Sequence, residues 1–325
     1  VVAACWGKAT AGEYDFTIPE AQPKPWELGA RLEARTIYHR FDEDSARYRQ
    51  IQFQDDPGTD AFEWHLSGEL SGRIRTGSLQ AVLLTHHEYA DTITEDEWIN
   101  KLYEGYASLT PTASLTLDAG KKRVQWGKGY AWNPVGFINP SKDPDDPSLN
   151  LEGSTYAGVD LIKSFTAGGL ANMGLTAMLL PVIEDWTNVD FGEDGDLNAA
   201  FKLYLLWHDT DLDFIYYDGP SQPLSLGIDF SRNLAENIEV HGELAYQQDV
   251  SHVLIEADGT LTHSEDDQVS YLFGIRYLNT LETTFIAEYY HNGGGYDQDQ
   301  MEDFFTYQEA AFEHWQTTGD GSLMQ

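Results

Sequence analysis

Residues 26–40 alternate with a period of two. Trp26, Leu28, Ala30, Leu32, Ala34, Thr36 and Tyr38 share one parity, and Glu27, Gly29, Arg31, Glu33, Arg35, Ile37 and His39 share the other. A helix, with 3.6 residues per turn, would mix the two sets, so the pattern predicts a strand with one apolar and one ionised face. It returns at 61–75, where Phe62, Trp64, Leu66 and Leu70 oppose Glu63, His65, Glu69 and Arg73. It returns again at 197–208, 238–247 and 268–277, where Phe201, Leu244 and Tyr271 oppose Lys202, Glu243 and Arg276. Weaker copies lie at 78–89, 97–109, 113–126, 154–165, 171–182, 211–218, 222–232 and 282–291. The chain thus predicts about thirteen strands, most near the 9–11 residues that a tilted membrane strand needs.

The connections alternate short and long. Short ones fall at 76–77, 110–112, 166–170, 209–210, 233–237 and 279–281. Long ones fall at 43–60, 91–96, 127–153, 183–196, 249–267 and beyond 292, with a short exception near 219–221. An antiparallel meander with its tight turns at one end has this plan, and so do outer-membrane barrels. A soluble β-sandwich also alternates, but its strands average about 5–6 residues and its apolar faces do not repeatedly end in Trp or Tyr. The expected fold is therefore all-β: a transmembrane antiparallel up-and-down β-barrel. Hydrocarbon cannot satisfy free backbone groups, so such a sheet must close. Bacterial single-chain barrels have even strand numbers. Further C-terminal strands are expected, giving sixteen to eighteen in all; the alternative is fourteen, with one strand unrecognised.

Three regions follow. Residues 1–11 read as the tail of a signal peptide, with Ala9-Thr10-Ala11 as a small-x-small cleavage site. Val2-Ala3-Ala4-Cys5 also resembles a lipoprotein box. Residues 12–25 read as a periplasmic lead-in, and 26–325 as the barrel. Residues 299–316 carry Met301, Phe304, Phe305, Gln308, Phe312 and Trp315 at three- and four-residue spacing. They predict a short amphipathic helix on the barrel rim or in the bore.

Composition narrows the function. Lys and Arg total 19 against 54 Asp and Glu, a formal charge of −35. That excludes a nucleic-acid partner, which needs a basic footprint. A single Cys excludes a disulfide framework, thiolate zinc sites and haem attachment. No cofactor and no specific metal site are expected. Asp190–Asp196 (DFGEDGD) lacks the spacing of an EF-hand and reads as a solvated acidic face. His86 and His87 point opposite ways on a strand, and His39, His65, His208 and His241 sit singly on inward faces. No His-Glu-x-x-His occurs and no Ser has a diagnostic setting, so no catalytic residues and no enzymatic activity are expected.

Residues 98–140 read WINKLYEGYASLTPTASLTLDAGKKRVQWGKGYAWNPVGFINP. This segment resembles the strand–turn–strand–loop of porin-like Gram-negative barrels, including the alginate-export-like group and an uncharacterised porin family. The resemblance rests on Leu117 to Lys122, followed by Trp126-Gly127, Asn133-Pro134 and Asn139-Pro140. It implies an outer-membrane channel. The strong acidity departs from the basic bore that alginate export implies.

By parity, Arg31, Glu33, Arg35, Glu63, His65 and Glu69 face the bore. So do Arg73, Lys202, Glu239, Glu243 and Arg276. Two readings stand: cross-strand ion pairs that brace a wet interior, or a transverse field that orients polar solutes. The 127–153 loop is long for a connection without strands. Its aromatic content suits bulk water poorly, so its first half is expected to fold inward as a constriction bearing Trp126, Tyr130, Trp132, Asn133 and Asn139. Tyr130 and Trp132 either stack on a sugar or pack on the wall. The acidic outer loops are expected to bias the mouth toward cations and to hold divalent cations bridged to lipopolysaccharide. The expected function is passive or selective passage of small polar solutes across a Gram-negative outer membrane, in contact with membrane lipid and with a periplasmic partner or a second copy of the chain as further possibilities. The alternative is a scaffold sheathing a partner such as a multihaem cytochrome.

Overall fold

The computed structural model describes residues 24–54, 58–140, 151–184 and 186–324. The signal-peptide reading and most of the lead-in lie outside these residues.

Thirteen strands form one sheet: β1 Trp26–Arg40, β2 Asp60–Thr76, β3 Leu79–Asp91, β4 Asp96–Thr112, β5 Leu115–Lys122, β6 Ser154–Ser164 and β7 Leu170–Pro181, then β8 Leu197–Trp207, β9 Thr210–Gly219, β10 Gln222–Ala235, β11 Ile238–Ile255, β12 Leu261–Leu278 and β13 Thr284–His291. Each pairs antiparallel with its sequence neighbours, in unbroken order from β1 to β13. Tight turns gather at one end and the longer connections at the other, as the chain pattern predicts, with the expected exception of the two-residue β9–β10 turn at the long end. Two connections are shorter than expected. The β3–β4 connection spans only 92–95. The segment 249–267 is mostly strand: β11 and β12 run on past a bulge at Gln247/Val250 and meet in a turn at 256–260. In the other direction, β5 stops at Lys122, so Trp126 belongs to the following loop.

The alternation sorts the side chains. Leu28 is 79% and Leu32 86% exposed, and Trp64, Leu66, Leu70, Leu244 and Phe273 are exposed with them. Their neighbours of opposite parity carry the charges. Leaving one leucine in water forgoes roughly 1.5–3 kcal/mol of burial, so a whole face of such residues suits hydrocarbon. The buried residues lie on the other face. Val124, Trp126, Val135 and Ile138 of the β5–β6 loop pack with Tyr156, Met178, Leu180, Ala200, Ile215, Tyr217 and Ala245 from β6 to β11. A loop that leaves β5 and reaches β11 in this way requires the sheet to curl around it. The polar face is therefore concave and the apolar face convex. The fold is that of a transmembrane antiparallel up-and-down β-barrel.

Among the described residues two α-helices sit at the long-connection end. α1 (Ala46–Gln54) was not foreshadowed within the 43–60 loop; it starts at Ser45, whose Oγ accepts from the Tyr48 amide at 3.2 Å. α2 (Gln298–Thr318) extends the expected helix by a few residues. Asp297 and Gln300 form a reciprocal capping box, and Gly319 ends the helix at φ 75°. It lies on the rim. Trp315 stands edge-on to Phe53 with centroids 5.4 Å apart, and Gln308 Nε2 donates to the Ala46 carbonyl at 3.3 Å.

Candidate solute passage

The loop from Arg123 to Pro140 crosses the concave face and is held by carboxylates on the opposite wall. Glu243 on β11 takes most of the load. Its Oε1 accepts from the amides of Lys128 and Gly129, both at 2.6 Å, and from Asn133 Nδ2 at 3.1 Å; its Oε2 accepts from the Val135 amide at 3.3 Å. Glu288 on β13 accepts from the amides of Tyr130 at 2.6 Å and Ala131 at 2.9 Å. Lys128 Nζ lies 2.8 Å from Asp213 on β9 and 3.7 Å from Asp229 on β10. Burial works against its ammonium, but the hydrogen bond to Asp213 and the charges of Asp229 and Asp213 outweigh that and hold its pKa above the usual lysine value.

The sequence Gly127-Lys128-Gly129 explains how the chain comes so close. Gly127 has φ 99°, and a Cβ there would lie 2.7 Å from Glu243 Oε1. A Cβ on Gly129 would collide with the Trp132 carbonyl oxygen. Only glycine on both sides lets Glu243 reach two consecutive amides. Inside the loop, Asn139 braces the backbone of Trp126: its Oδ1 accepts from the Trp126 amide at 2.7 Å and its Nδ2 donates to the Trp126 carbonyl at 2.8 Å.

The expected constriction residues thus separate. Trp126 is buried, with Lys202 Nζ 5.7 Å from its ring centroid. Asn133 and Asn139 bond to the loop's own frame. Tyr130 and Trp132 keep their rings at the surface. Tyr130 stands edge-on to His241 at 5.4 Å, and Trp132 stacks on Tyr290 at 5.5 Å.

The expected wall residues fall into two groups. On β1 to β3, Arg31 pairs with Glu33 and stands opposite Glu69, while Arg73 pairs with Glu27 at 3.2 Å. Arg35 stands opposite His65. On β11 and β12, Glu239 binds Arg276 at 2.8 Å. Several histidines are not single, as the parity argument had them. Glu63 lies 3.3 Å from His39 and 3.7 Å from His65; His65 Nδ1 lies 2.7 Å from Glu88, and Glu88 lies 2.9 Å from His86. His241 lies 2.9 Å from Glu288. His208 leaves the inward face altogether and occupies the β8–β9 turn at φ 48°. Parity shows which face a residue is on, but only the inter-strand register shows which carboxylate stands beside it. Lys128 carried one sequence signal, a lone cation between two glycines in an aromatic segment.

The return leg of the loop has its own pairing. Glu152 binds Lys121 and, at 3.1 Å, Lys101. Burial opposes its ionisation, but the two lysines prevail and hold its carboxyl below the usual 4.5. A lowered carboxylate contributes stability that is present above 4.5 and lost as pH falls through the native value. Protease cleavage of the segment around 151–153 should therefore rise on acidification below 4.5. Glu152→Gln should cleave readily at every pH; a wild-type profile flat down to the global acid transition would refute the pairing.

No protein-family model matches this sequence, and no curated protein matches it. Solved structures do. OmpF of Salmonella typhi, in complex with daunomycin, is 11% identical with a TM-score of 0.50, covering 82% of this chain and 78% of that one. The outer-membrane channel DcaP of Acinetobacter baumannii is 10% identical with a TM-score of 0.40, over 82% and 80% of the two chains. A mutant porin of Rh. blastica is 10% identical with a TM-score of 0.37, over 83% and 96%. At 11% identity the likeness to OmpF concerns the fold alone, and in fold this chain is similar to a porin β-barrel.

Proposed function

We propose that the protein is an outer-membrane channel for small polar solutes, narrowed by the 123–140 loop. The observation that carries this reading is the loop's seat. A connection pinned by Glu243 and Glu288 across the concave face would narrow the bore, while the charged inner faces of β1 and β2 retain exposure at Arg31 and Arg73. Arg31 and Arg73 on β1 and β2 share the inward face with Asp213, Asp229, Glu243 and Glu288 on β9, β10, β11 and β13, and this separation of charge along the sheet would set a transverse field for a passing solute. The convex apolar face would contact lipid, and the acidic rim would favour cations and neutral solutes over anions. A polyanion such as alginate fits poorly. The sheath reading is disfavoured because the protein's own loop occupies the β6–β11 side of the bore.

Reconstitution in a planar bilayer tests this. Stepwise ion currents with a cation-selective reversal potential are expected, and the selectivity should weaken at high salt as the charges are screened. Anion selectivity would refute the role of the rim. A complete absence of current at every salt concentration would refute the channel.

A further inference from the structure

Tyr204, Asp213, Asp229 and Glu243 stand in one row across β8, β9, β10 and β11, each directly opposite the next. Like charges placed opposite one another on adjacent strands are destabilising. Glu243 escapes this through its four donors from the loop. Asp213 and Asp229 do not. Their side chains are 3% and 0% exposed; among the described residues no N–H or hydroxyl donor reaches either oxygen of Asp229 or Oδ1 of Asp213, and the two carboxyl groups lie within hydrogen-bond reach of each other. The one cation present is Lys128, whose side chain remains 22% exposed and whose Nζ also lies 5.8 Å from the Tyr204 ring.

We propose that Asp213, Asp229 and the face of Tyr204 form a binding site for the primary ammonium group of a solute, a site that Lys128 occupies when the loop is seated. The proposal rests on the channel reading and assigns it a solute class, alkylammonium compounds. Three features support it. Two carboxylates and an aromatic face are the groups that recognise an ammonium, through charge-assisted hydrogen bonds and cation–π attraction. Lys128 fills the site incompletely: its tether holds Nζ at hydrogen-bond distance from Asp213 and leaves Asp229 at 3.7 Å. An untethered ammonium, with three donors, can sit between the two. Finally, Lys128 is not the anchor of the loop. Glu243 and Glu288 fix the neighbouring amides without it, so its ammonium can leave the wall while the loop stays in place.

The test is calorimetric titration of the full chain in detergent with 1,4-diaminobutane, using 1,4-butanediol as the neutral control. Lys128→Ala empties the site, and its affinity for the diamine should exceed that of the wild type by about tenfold or more. Asp229→Asn in the Lys128→Ala background should abolish the gain, and the diol should not bind. Lys128→Gln, with circular dichroism of every variant, guards against a folding artefact. Equal diamine affinity in wild type and both Lys128 variants would overturn the proposal, as would preferential binding of Na⁺ or Mg²⁺. In bilayers, diamine should block current through the Lys128→Ala protein. Current without diamine binding would sink the site and spare the channel. Binding without current would do the reverse.

Discussion

Glu243→Ala should release the loop from the wall. The substitution leaves the amides of Lys128, Gly129 and Val135 without their acceptor and removes one of the acceptors of Asn133 Nδ2, which keeps the Gly129 carbonyl. Hydrogen bonds to a charged group contribute about 1.5–3 kcal/mol each. Water will replace some of them, so the expected loss is on the order of 3–5 kcal/mol, the usual cost of removing one partner from a buried charged site. With the loop as the proposed constriction, single-channel conductance should rise several-fold, and protease should gain access to the 127–140 segment. Glu243→Gln should fall between. One amide oxygen can still serve Lys128, Gly129 and Asn133, but an NH₂ then faces the Val135 amide. Unchanged conductance in Glu243→Ala would mean that the loop is held by other contacts.

The second large effect concerns the convex face. Leu70→Arg, near the middle of β2, puts a charge on the side where Leu66, Leu70 and Ile74 are exposed. In lipid the cost is about 2–4 kcal/mol near the bilayer centre. On a water-exposed surface it would be within about 0.5 kcal/mol of zero. Ser67→Arg is the matched control, since Ser67 stands opposite Glu33 on one side and Glu88 on the other, facing the bore. Denaturant unfolding of protein refolded in lipid vesicles should show a large loss for Leu70→Arg and little change for Ser67→Arg. Equal effects would remove the distinction between the faces.

Much of this architecture was legible in the sequence, because the physics that writes it is local. Wherever one strand face meets lipid and the other meets water, the chain alternates, and β1 and β2 could be delimited almost to the residue. The signal weakened where that contrast fails. β6 and β7 place Tyr156, Met178 and Leu180 on the concave side under the loop, so the half of each strand beneath the loop is apolar on both faces and the contrast weakens. The outer halves of β11 and β12 carry His252, His263, Glu265 and Asp266 without an apolar parity, so they read as a loop although their backbones pair through to Ile255 and Leu261. The β1–β2 connection hid α1, whose ARYRQIQFQ has no glycine or proline but also little amphipathicity.

The candidate passage was half legible. Parity placed Glu243, Glu239 and Lys202 on the inward face, and the aromatic content of 127–153 pointed the loop inward. What parity lacks is register. That Asp213, Asp229 and Glu243 form one row, or that His39 and His65 share Glu63, depends on how separate strands slide against each other. Lys128 gained its meaning only when the loop was seen against that row.

In a barrel of this kind the convex face alone meets lipid. Single cysteines introduced along β1 in a Cys5→Ser background, with the protein in vesicles, address this directly by their reaction with a membrane-impermeant thiol reagent. Positions 28, 30, 32 and 34 should be protected, while 29, 31, 33 and 35 should react. Equal labelling of both parities, or labelling of 28, 30, 32 and 34 alone, would contradict a barrel with an oily exterior and a charged bore.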